Sequence, residues 1–445
     1  MKYDMIVIGG GPGGKACSIE AAGRGLRVAL VEKGGSGGTP INKGYIPMKI
    51  MLDEMIKKTA GNNPVKPAES LKTLGIRMQK AKEGWESYLE RAGVKIYYGE
   101  AEIISEQEVR VVADGETTAL TGGSLVVATG SEPSSPIALQ LDESRGIISY
   151  KEVLSGKWLN VKDVVILGGN IEGCEFATLF KQMGAAVTIL ELGDGIMPMC
   201  DPDQAQFLKE EFEKQGIEVK TNSTVTQCQY NEEGKLEVMC KNKADDTSQK
   251  LLTDALLVTG ASNPVLPRGI EKLELVWGEN NRIKVNEYME TSQKGVYAIG
   301  DVIGGITSAN AAILEGKTAA GSIAGEKNPV SYKGMSYVCF TDPQLSGVGL
   351  RETDARERQL NYRVKKAYFS ENMRALSLGY EKGFVKILVD ADKQTILGMH
   401  FAGDNIAELI PIGVLACNQD IPVKVIRGLP LAHPTMTEII KEALC

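Results

Sequence analysis

Residues 4–32 place the tightest constraint on how this chain folds. An apolar run of strand length, Asp4–Gly9, opens into Gly9-Gly10-Gly11-Pro12-Gly13-Gly14. A helix-like stretch follows over Lys15–Gly25, and a second apolar run, Leu26–Val31, ends on Glu32. Strand, G-x-G-x-x-G, helix, strand and terminal acid, in that order, make up the dinucleotide-binding βαβ signature. Each part has a physical task. Gly9 permits the tight turn, Gly11 lets backbone approach a pyrophosphate, and Gly14 lets the helix pack close to the strand. The diphosphate then sits on the helix N-terminus, where unpaired N–H groups and the helix dipole favour anions. Glu32 is placed to accept hydrogen bonds from a ribose hydroxyl. A lone G-x-G-x-x-G is weak support for such a site, but here strand, helix and acid all stand in place.

The pattern recurs, so the chain contains an internal repeat. Asp163–Leu167 reads as a strand, Gly168-Gly169-Asn170-Ile171-Glu172-Gly173 as the turn and Cys174–Met183 as a helix. Ala185–Leu190 is the next strand, ending on Glu191. Two other buried strands run into small-residue turns: Leu125–Ala128 into Thr129-Gly130, and Ala255–Val258 into Thr259-Gly260. A further buried strand, Val296–Gly300, presents Asp301 at its tip. Between these, Met51–Arg91 reads as mostly helical with a break at Asn62–Pro67. Val94–Tyr98, Ala101–Ile104 and Val109–Val112 read as short strands, and Ser131–Pro136 as a link between domains. From about Ser331 the texture changes to strands, Phe384–Val389 and Thr395–Phe401, and then helices, Ile406–Asn418 and Thr435–Leu444. The fold class is α/β, with two Rossmann-like dinucleotide-binding domains and a C-terminal α+β domain.

Composition narrows the function classes. At 445 residues the chain is long enough for two to four well-buried domains. A net charge of −7 with both signs interspersed argues against nucleic acid or an anionic membrane as main partner. The start of the chain has too short an apolar run for a signal peptide, and no run approaches the roughly 20 residues of a membrane span. Eight cysteines without a C-x-x-C suggest reduced thiols. A soluble, cytoplasmic protein without a metal site is expected.

The two repeats, the small-residue turns and the A-I-G-D tip together resemble the flavoprotein disulfide reductases and, within that family, lipoamide dehydrogenase most. Matching segments occur in order along nearly the whole chain. They are Val28–Lys33 (VALVEK), Gly37-Gly38-Thr39, Ile46-Pro47-x-Lys49, Tyr297–Asp301, Thr341-Asp342-Pro343 with Val348-Gly349, and His433-Pro434-Thr435 with Glu438. The resemblance implies FAD in the first fold, held by Gly9, Gly11, Gly14 and Glu32. Lys33, Thr39, Lys49, Thr129 and Gly130 would line it, with Asp301 at the ribityl and phosphate region. It implies NAD(H) in the second fold, at Gly168, Gly173, Glu175, Glu191 and Gly260, on the opposite face of the flavin. The implied division is an FAD domain over 1–149 completed by 265–330, an NAD(P) domain over 150–264, and a two-fold dimerisation domain over 331–445.

The chain departs from the family at its working part. The family carries a redox dithiol in G-G-T-C-x-N-x-G-C-I-P-x-K, whereas this chain places Pro40 and Tyr45 at the two sulfur positions. Neither side chain forms a disulfide or donates thiolate charge to a flavin. The surrounding frame is kept. Lys49 resembles the family's lysine beside flavin N5, and Glu175 its partner glutamate; a plain surface ion pair is the bland alternative. For Tyr45, a proton donor, a stacking platform and a simple filler are all open. His433 and Glu438 match the family's dyad, which reaches the flavin of the other subunit and shuttles protons; a structural interfacial histidine is the alternative.

In the second fold, Asn170 replaces the middle glycine and would crowd a pyrophosphate. Glu172 adds negative charge there, unless it is only a favourable helix-end acid. Glu191 favours NAD over NADP, because a carboxylate repels a 2′-phosphate. The turn at Thr259–Pro264 lacks the arginine usual after its glycine. Cys17 and Cys174 fall where small packing residues are expected, and Cys445 reads as an incidental terminal thiol. The expected activity is an FAD-dependent oxidoreductase passing electrons from NAD(P)H to a quinone, dye, oxygen or organic double bond. The alternatives are a flavin-carrying subunit fed by a protein partner and a scaffold that binds FAD for stability alone.

Overall fold

The apolar runs of the first half are continuous rather than alternating, as strands covered on both faces require. The computed structural model describes residues 2–60, 67–136 and 139–445, without the side chains of 40, 57–60 and 67–71. Lys2–Ile8 (β1), Val28–Glu32 (β2) and Lys95–Tyr98 (β3) are parallel neighbours. Glu100–Ser105 (β4) and Glu108–Ala113 (β5) follow in an antiparallel meander. Glu116–Val127 (β6) then runs back beside β1, pairing Ile6 with Leu125 and Ile8 with Val127. Helices Pro12–Gly23 (α1), Gly38–Asn42 (α2), Tyr45–Ala60 (α3) and Pro67–Arg91 (α4) make the connections. Most of the expected break at Asn62–Pro67 lies outside the described residues, and Pro67 opens α4, where its fixed φ suits a first helical turn.

Ser131–Pro133 (β7) leads into the second unit, which repeats the plan. Ile147–Ile148 (β8), Asp163–Leu167 (β9), Ala186–Leu190 (β10) and Ile217–Lys220 (β11) come first. An antiparallel meander follows, Ser223–Tyr230 (β12), Leu236–Asn242 (β13) and Ser248–Thr253 (β14), before Ala255–Val258 (β15) returns to lie between β9 and β8. Its helices are Tyr150–Leu154 (α5), Ile171–Gln182 (α6) and Pro202–Lys214 (α7). Ser262–Pro264 (β16) then pairs antiparallel with β7. The segment expected as a plain link is therefore a strand, because two connections running in opposite directions satisfy each other's backbone.

Val296–Ala298 (β17) rejoins the first sheet beside β6, and Ala309–Ile323 (α8) packs on α1. That contact needs glycine, since a Cβ on Gly316 would stand 2.4 Å from the Gly13 carbonyl. Five antiparallel strands follow: Ser336–Cys339 (β18), Gln344–Gly349 (β19), Tyr362–Tyr368 (β20), Gly383–Asp390 (β21) and Ile396–Gly403 (β22), in the order β18-β19-β22-β21-β20. Ile387, Met399 and Phe401 from this sheet share a core with Ile439 and Ile440 of Glu438–Leu444, the last helix.

This sheet is riveted to α7. Gln204 donates to the Ser346 and Phe401 carbonyls at 2.8 and 2.6 Å. Lys386, 1% exposed, meets Asp201, Asp203 and Glu352 at 2.8, 3.3 and 2.6 Å. Among the described residues no helix is long and apolar enough to cross a membrane.

Candidate functional site: two glycine cradles joined by an ion pair

The first cradle is built around Gly9 and Gly14. Gly9 has φ +106°, and a Cβ on Gly14 would lie 1.9 Å from the Gly9 carbonyl oxygen, so only glycine lets α1 start this close to β1. Gly11 is the N-cap of α1, no side chain caps the turn, and nothing lies within 4 Å of where a Gly11 Cβ would point. The result is an open helix N-terminus with free donors. Glu32, buried at the end of β2, accepts from the Gly10 and Gly34 N–H groups, both at 2.6 Å. Burial pushes its carboxyl pKa up, against the pull of those backbone donors. These features fit the ADP half of FAD: an anion seat that no side chain caps, beside a fixed carboxylate. Lys33 reaches Glu100 instead, at 2.6 Å on the surface.

Segment 37–49, which contains no cysteine, docks on this cradle. Gly37 and Gly38 have φ of +90° and +61°, and a Cβ on Gly38 would lie 3.1 Å from the Gly11 backbone. Asn42 ties the turn by donating to the Gly35, Ser36 and Gly38 carbonyls. Thr39 is exposed, and the Pro40 side chain lies outside the described residues. Tyr45 opens α3 and Lys49 follows four residues later on the same helix face. Tyr45 is 39% exposed, and desolvation of its phenol raises the pKa above the ordinary value.

Lys49 leads to the second unit. Its ammonium pairs with Glu175 of α6 and lies 4.8 Å from the ring centre of Phe340. Glu175 is 3% exposed, and its other oxygen accepts from the Phe340 N–H at 2.9 Å. The pair therefore joins three distant segments, with the carboxylate buried and the Lys49 side chain half-buried, rather than lying free on the surface.

The remaining first-fold residues form a second wall. Thr129 donates to the Val265 carbonyl at 2.5 Å, and Gly130, φ +71°, accepts from the Val265 N–H at 3.0 Å. Asp301 accepts from the Ser131 hydroxyl at 2.7 Å, and Arg282 joins the Asp301 carbonyl to that of Ser262. Ser131, Arg282 and Phe340 were missed by sequence reasoning. Ser131 looked like linker, and Arg282 and Phe340 act through contacts that no local pattern announces.

The second cradle copies the first in its frame. Gly168 has φ +114°, a Cβ on Gly173 would lie 1.9 Å from the Gly168 carbonyl, and Glu191 accepts from Gly169 and Gly193 at 2.6 and 2.7 Å. It differs at Asn170, whose Oδ1 accepts from the Gly173 N–H at 3.1 Å and whose Nδ2 donates to Thr259 Oγ1 at 3.2 Å. A Cβ on Gly260, φ +83°, would lie 2.3 Å from that Nδ2. Glu172 stands in the first turn of α6. Burial, with the Glu175 charge adding to it and Lys49 opposing, raises its pKa to about 8, the reverse of what a helix dipole does to a carboxyl.

Far along the chain, His433 Nδ1 stands 3.1 and 3.2 Å from the two oxygens of Glu438, which also accepts from the Thr435 N–H at 2.8 Å. The Thr435 N–H and then the imidazole hold the Glu438 carboxyl below its ordinary pKa. The His433 side chain is 69% exposed on this chain. Seven cysteines are buried and Cys445 is exposed. Burial drives the Cys17 and Cys200 thiols up to about 12 and Cys174 well above its usual value.

Known proteins share this arrangement from end to end. Residues 3–316 match the pyridine nucleotide-disulphide oxidoreductase family, and residues 335–444 match its dimerisation domain. The chain is 32% identical to a leghemoglobin reductase of Vigna unguiculata over 455 aligned positions, covering 99% of this chain and 86% of that one. It is 30% identical to a dihydrolipoyl dehydrogenase of Staphylococcus aureus, covering 100% and 96%. Among solved structures it is similar to the HOCl-induced flavoprotein disulfide reductase RclA from Escherichia coli, with TM-score 0.88 and 25% identity over 99% of both chains. It shares the fold of LpdA from Mycobacterium tuberculosis, with TM-score 0.89 at 23% identity over 99% and 98%. Matched by the family over residues 3–316 and by its dimerisation domain over 335–444, the chain belongs to the pyridine nucleotide-disulphide oxidoreductase family.

Proposed function

We propose that this protein is an FAD-dependent oxidoreductase that takes electrons from NAD(P)H and delivers them to an acceptor other than a disulfide. Members of its family are FAD-dependent oxidoreductases that use NAD(P)H. The observation that carries the reading is the pairing of Lys49 with the buried Glu175 carboxylate beside a segment without cysteine. A scaffold that bound FAD only for stability needs no ammonium fixed by a buried carboxylate, which is costly to desolvate. When bound, FAD supplies hydride acceptance and onward one- or two-electron transfer without any thiol.

This chain's own residues then have the following roles. Gly9, Gly11 and Gly14 open the α1 turn to the pyrophosphate, Glu32 takes the ribose, and Asp301, oriented by Ser131, faces the ribityl side. Lys49, held by Glu175, places a positive charge where a reduced flavin gains negative charge. Pro40 and Tyr45 occupy the family's two sulfur positions, Tyr45 as the aromatic wall of the acceptor pocket. His433, held by Glu438, is the proton carrier contributed to a second subunit of a homodimer, a role its exposed side chain supports. Quinones, dyes, oxygen and organic double bonds fit as acceptors, and the eight reduced thiols fit a cytoplasmic setting.

A second reading, a flavin-carrying subunit fed by a protein partner, is favoured by Asn170, which fills the second cradle. Anaerobic titration of the purified protein with NADH and then NADPH decides between them. Bleaching of the flavin without a long-wavelength thiolate–flavin band supports the first reading, and a Tyr45→Phe variant keeps its FAD. A flavin untouched by either nucleotide supports the second. Brisk NADH-dependent reduction of lipoamide overturns both.

A further inference from the structure

We propose that Asn170 is a built-in competitor for the dinucleotide pyrophosphate, its carboxamide holding the positions a phosphate takes in the second cradle. The inference deepens the reading of that fold as the NAD(P)H site and rests on it.

The argument comes from the two cradles side by side. Their frames agree closely: Gly9 and Gly168 at φ +106° and +114°, Gly14 and Gly173 each so close that a Cβ would stand 1.9 Å from a main-chain oxygen, Glu32 and Glu191 each 2.6 Å from the glycine N–H they fix. The difference is confined to one residue. At Gly11 the seat is open, with no capping side chain and nothing within 4 Å of the Cβ direction. At Asn170 the seat is taken. Its Oδ1 accepts from the Gly173 N–H at 3.1 Å, the donor that a phosphate oxygen meets at a helix start.

The amide is also pinned from the far side. Its Nδ2 donates at 3.2 Å to Thr259 Oγ1, which is itself anchored to the Leu167 carbonyl at 3.0 Å. Gly260 keeps the space clear, since any side chain there would meet Nδ2 at 2.3 Å. A neutral, well-oriented amide thus satisfies the donor that makes a helix start attractive to anions. A pyrophosphate gains that donor only by turning Asn170 out and breaking both of its hydrogen bonds.

Glu172 stands two residues after Asn170, in the first turn of α6, where it senses the charges of Glu175 and Lys49. The plug acts on the phosphates and is indifferent to what the nucleotide carries beyond them.

ADP-ribose, which has the pyrophosphate but no hydride to give, is therefore the probe. Its dissociation constant is measured calorimetrically on FAD-loaded wild type, Asn170→Gly and Asn170→Ala. Glycine is itself a tolerated N-cap, so the first variant is expected to fold. Asn170→Gly should bind about tenfold tighter than wild type, the worth of one such hydrogen bond, and Asn170→Ala should fall between them. Should the glycine variant lose its flavin or its cooperative unfolding, the alanine variant alone carries the test. Equal or weaker binding by the folded variants overturns the proposal. So does wild type that already binds as tightly as Asn170→Gly. Tighter binding by the variant together with a wild-type flavin that NADH does not bleach keeps this inference while the functional reading above falls.

Discussion

Replacing Lys386 with methionine tests how the second nucleotide unit is held to the C-terminal sheet. The ammonium is 1% exposed and lies 2.8 Å from Asp201, itself 0% exposed, 3.3 Å from Asp203 and 2.6 Å from Glu352. Methionine keeps much of the volume, so little cavity forms, but Asp201 is left buried with only the backbone N–H groups of Asp203 and Glu352. His400 also faces Asp201, but burial lowers its own pKa, so it replaces Lys386 poorly at neutral pH.

Removing one partner of a buried ion pair costs about 3–5 kcal/mol. Asp203 and Glu352 are partly solvated and relax more cheaply, which sets the expectation at the lower end, about 3 kcal/mol. With a urea slope of about 3 kcal/mol/M, the unfolding midpoint followed by circular dichroism at neutral pH should fall by about 1 M. The pH dependence fixes the sign. Desolvation raises the Asp201 pKa, but His400, then Lys386 and the Glu352 N–H, bring it net below its ordinary value. The Lys386 hydrogen bond leads the lowering of Glu352. A depressed carboxyl stabilises the fold above its unfolded pKa, about 4, and loses that contribution as pH falls through the folded value. The penalty for Lys386→Met should therefore be full at neutral pH and shrink below about pH 4. A midpoint shift under about 0.3 M at neutral pH, or one that does not diminish in acid, would refute this account of the rivet.

Three further outcomes are expected. Of the eight cysteines, one should react quickly with Ellman's reagent in the native protein, Cys445, and all eight after denaturation. Fewer than eight in denaturant would reveal a disulfide, against the eight free thiols of the structure. Gly14→Ala forces a methyl group to within 1.9 Å of main-chain oxygen and should abolish flavin retention, whereas Gly23→Ala, with open space around it, should be neutral or stabilise by up to about 1 kcal/mol. The flavin-to-protein absorbance ratio separates the two, and equal ratios would count against the cradle geometry. Glu32→Gln leaves one of two buried backbone donors poorly matched and should weaken FAD binding by about 1–3 kcal/mol, read from flavin release on dilution.

The two glycine turns, the acids that end the following strands and the absence of cysteine from 37–49 were legible because they are local matters. A positive φ, a two-residue alternation or a missing sulfur is decided by the residue itself and a few neighbours. Nearly all the buried strands appeared where the apolar runs placed them, and α6 differed from its expected span mainly by starting a turn earlier, at Ile171. The strand at Ser131–Pro133 carries no local signal, because its pairing partner lies more than a hundred residues away.

What only the tertiary structure decided are the quantities set by distant chain. The sequence supplied Lys49 and Glu175, but whether that pair was a surface contact or a buried one depended on α3, α6 and Phe340 meeting. It supplied Asn170, but whether that amide projected into solvent or turned back onto Gly173 and Thr259 depended on the turn after β15. It supplied Glu172, and only burial beside Glu175 raised its pKa rather than lowering it. Steric and hydrogen-bonding rules act over a few residues, so the chain spells them out. Desolvation and Coulomb energies depend on which segments fold against each other, and a linear order of residues does not contain that.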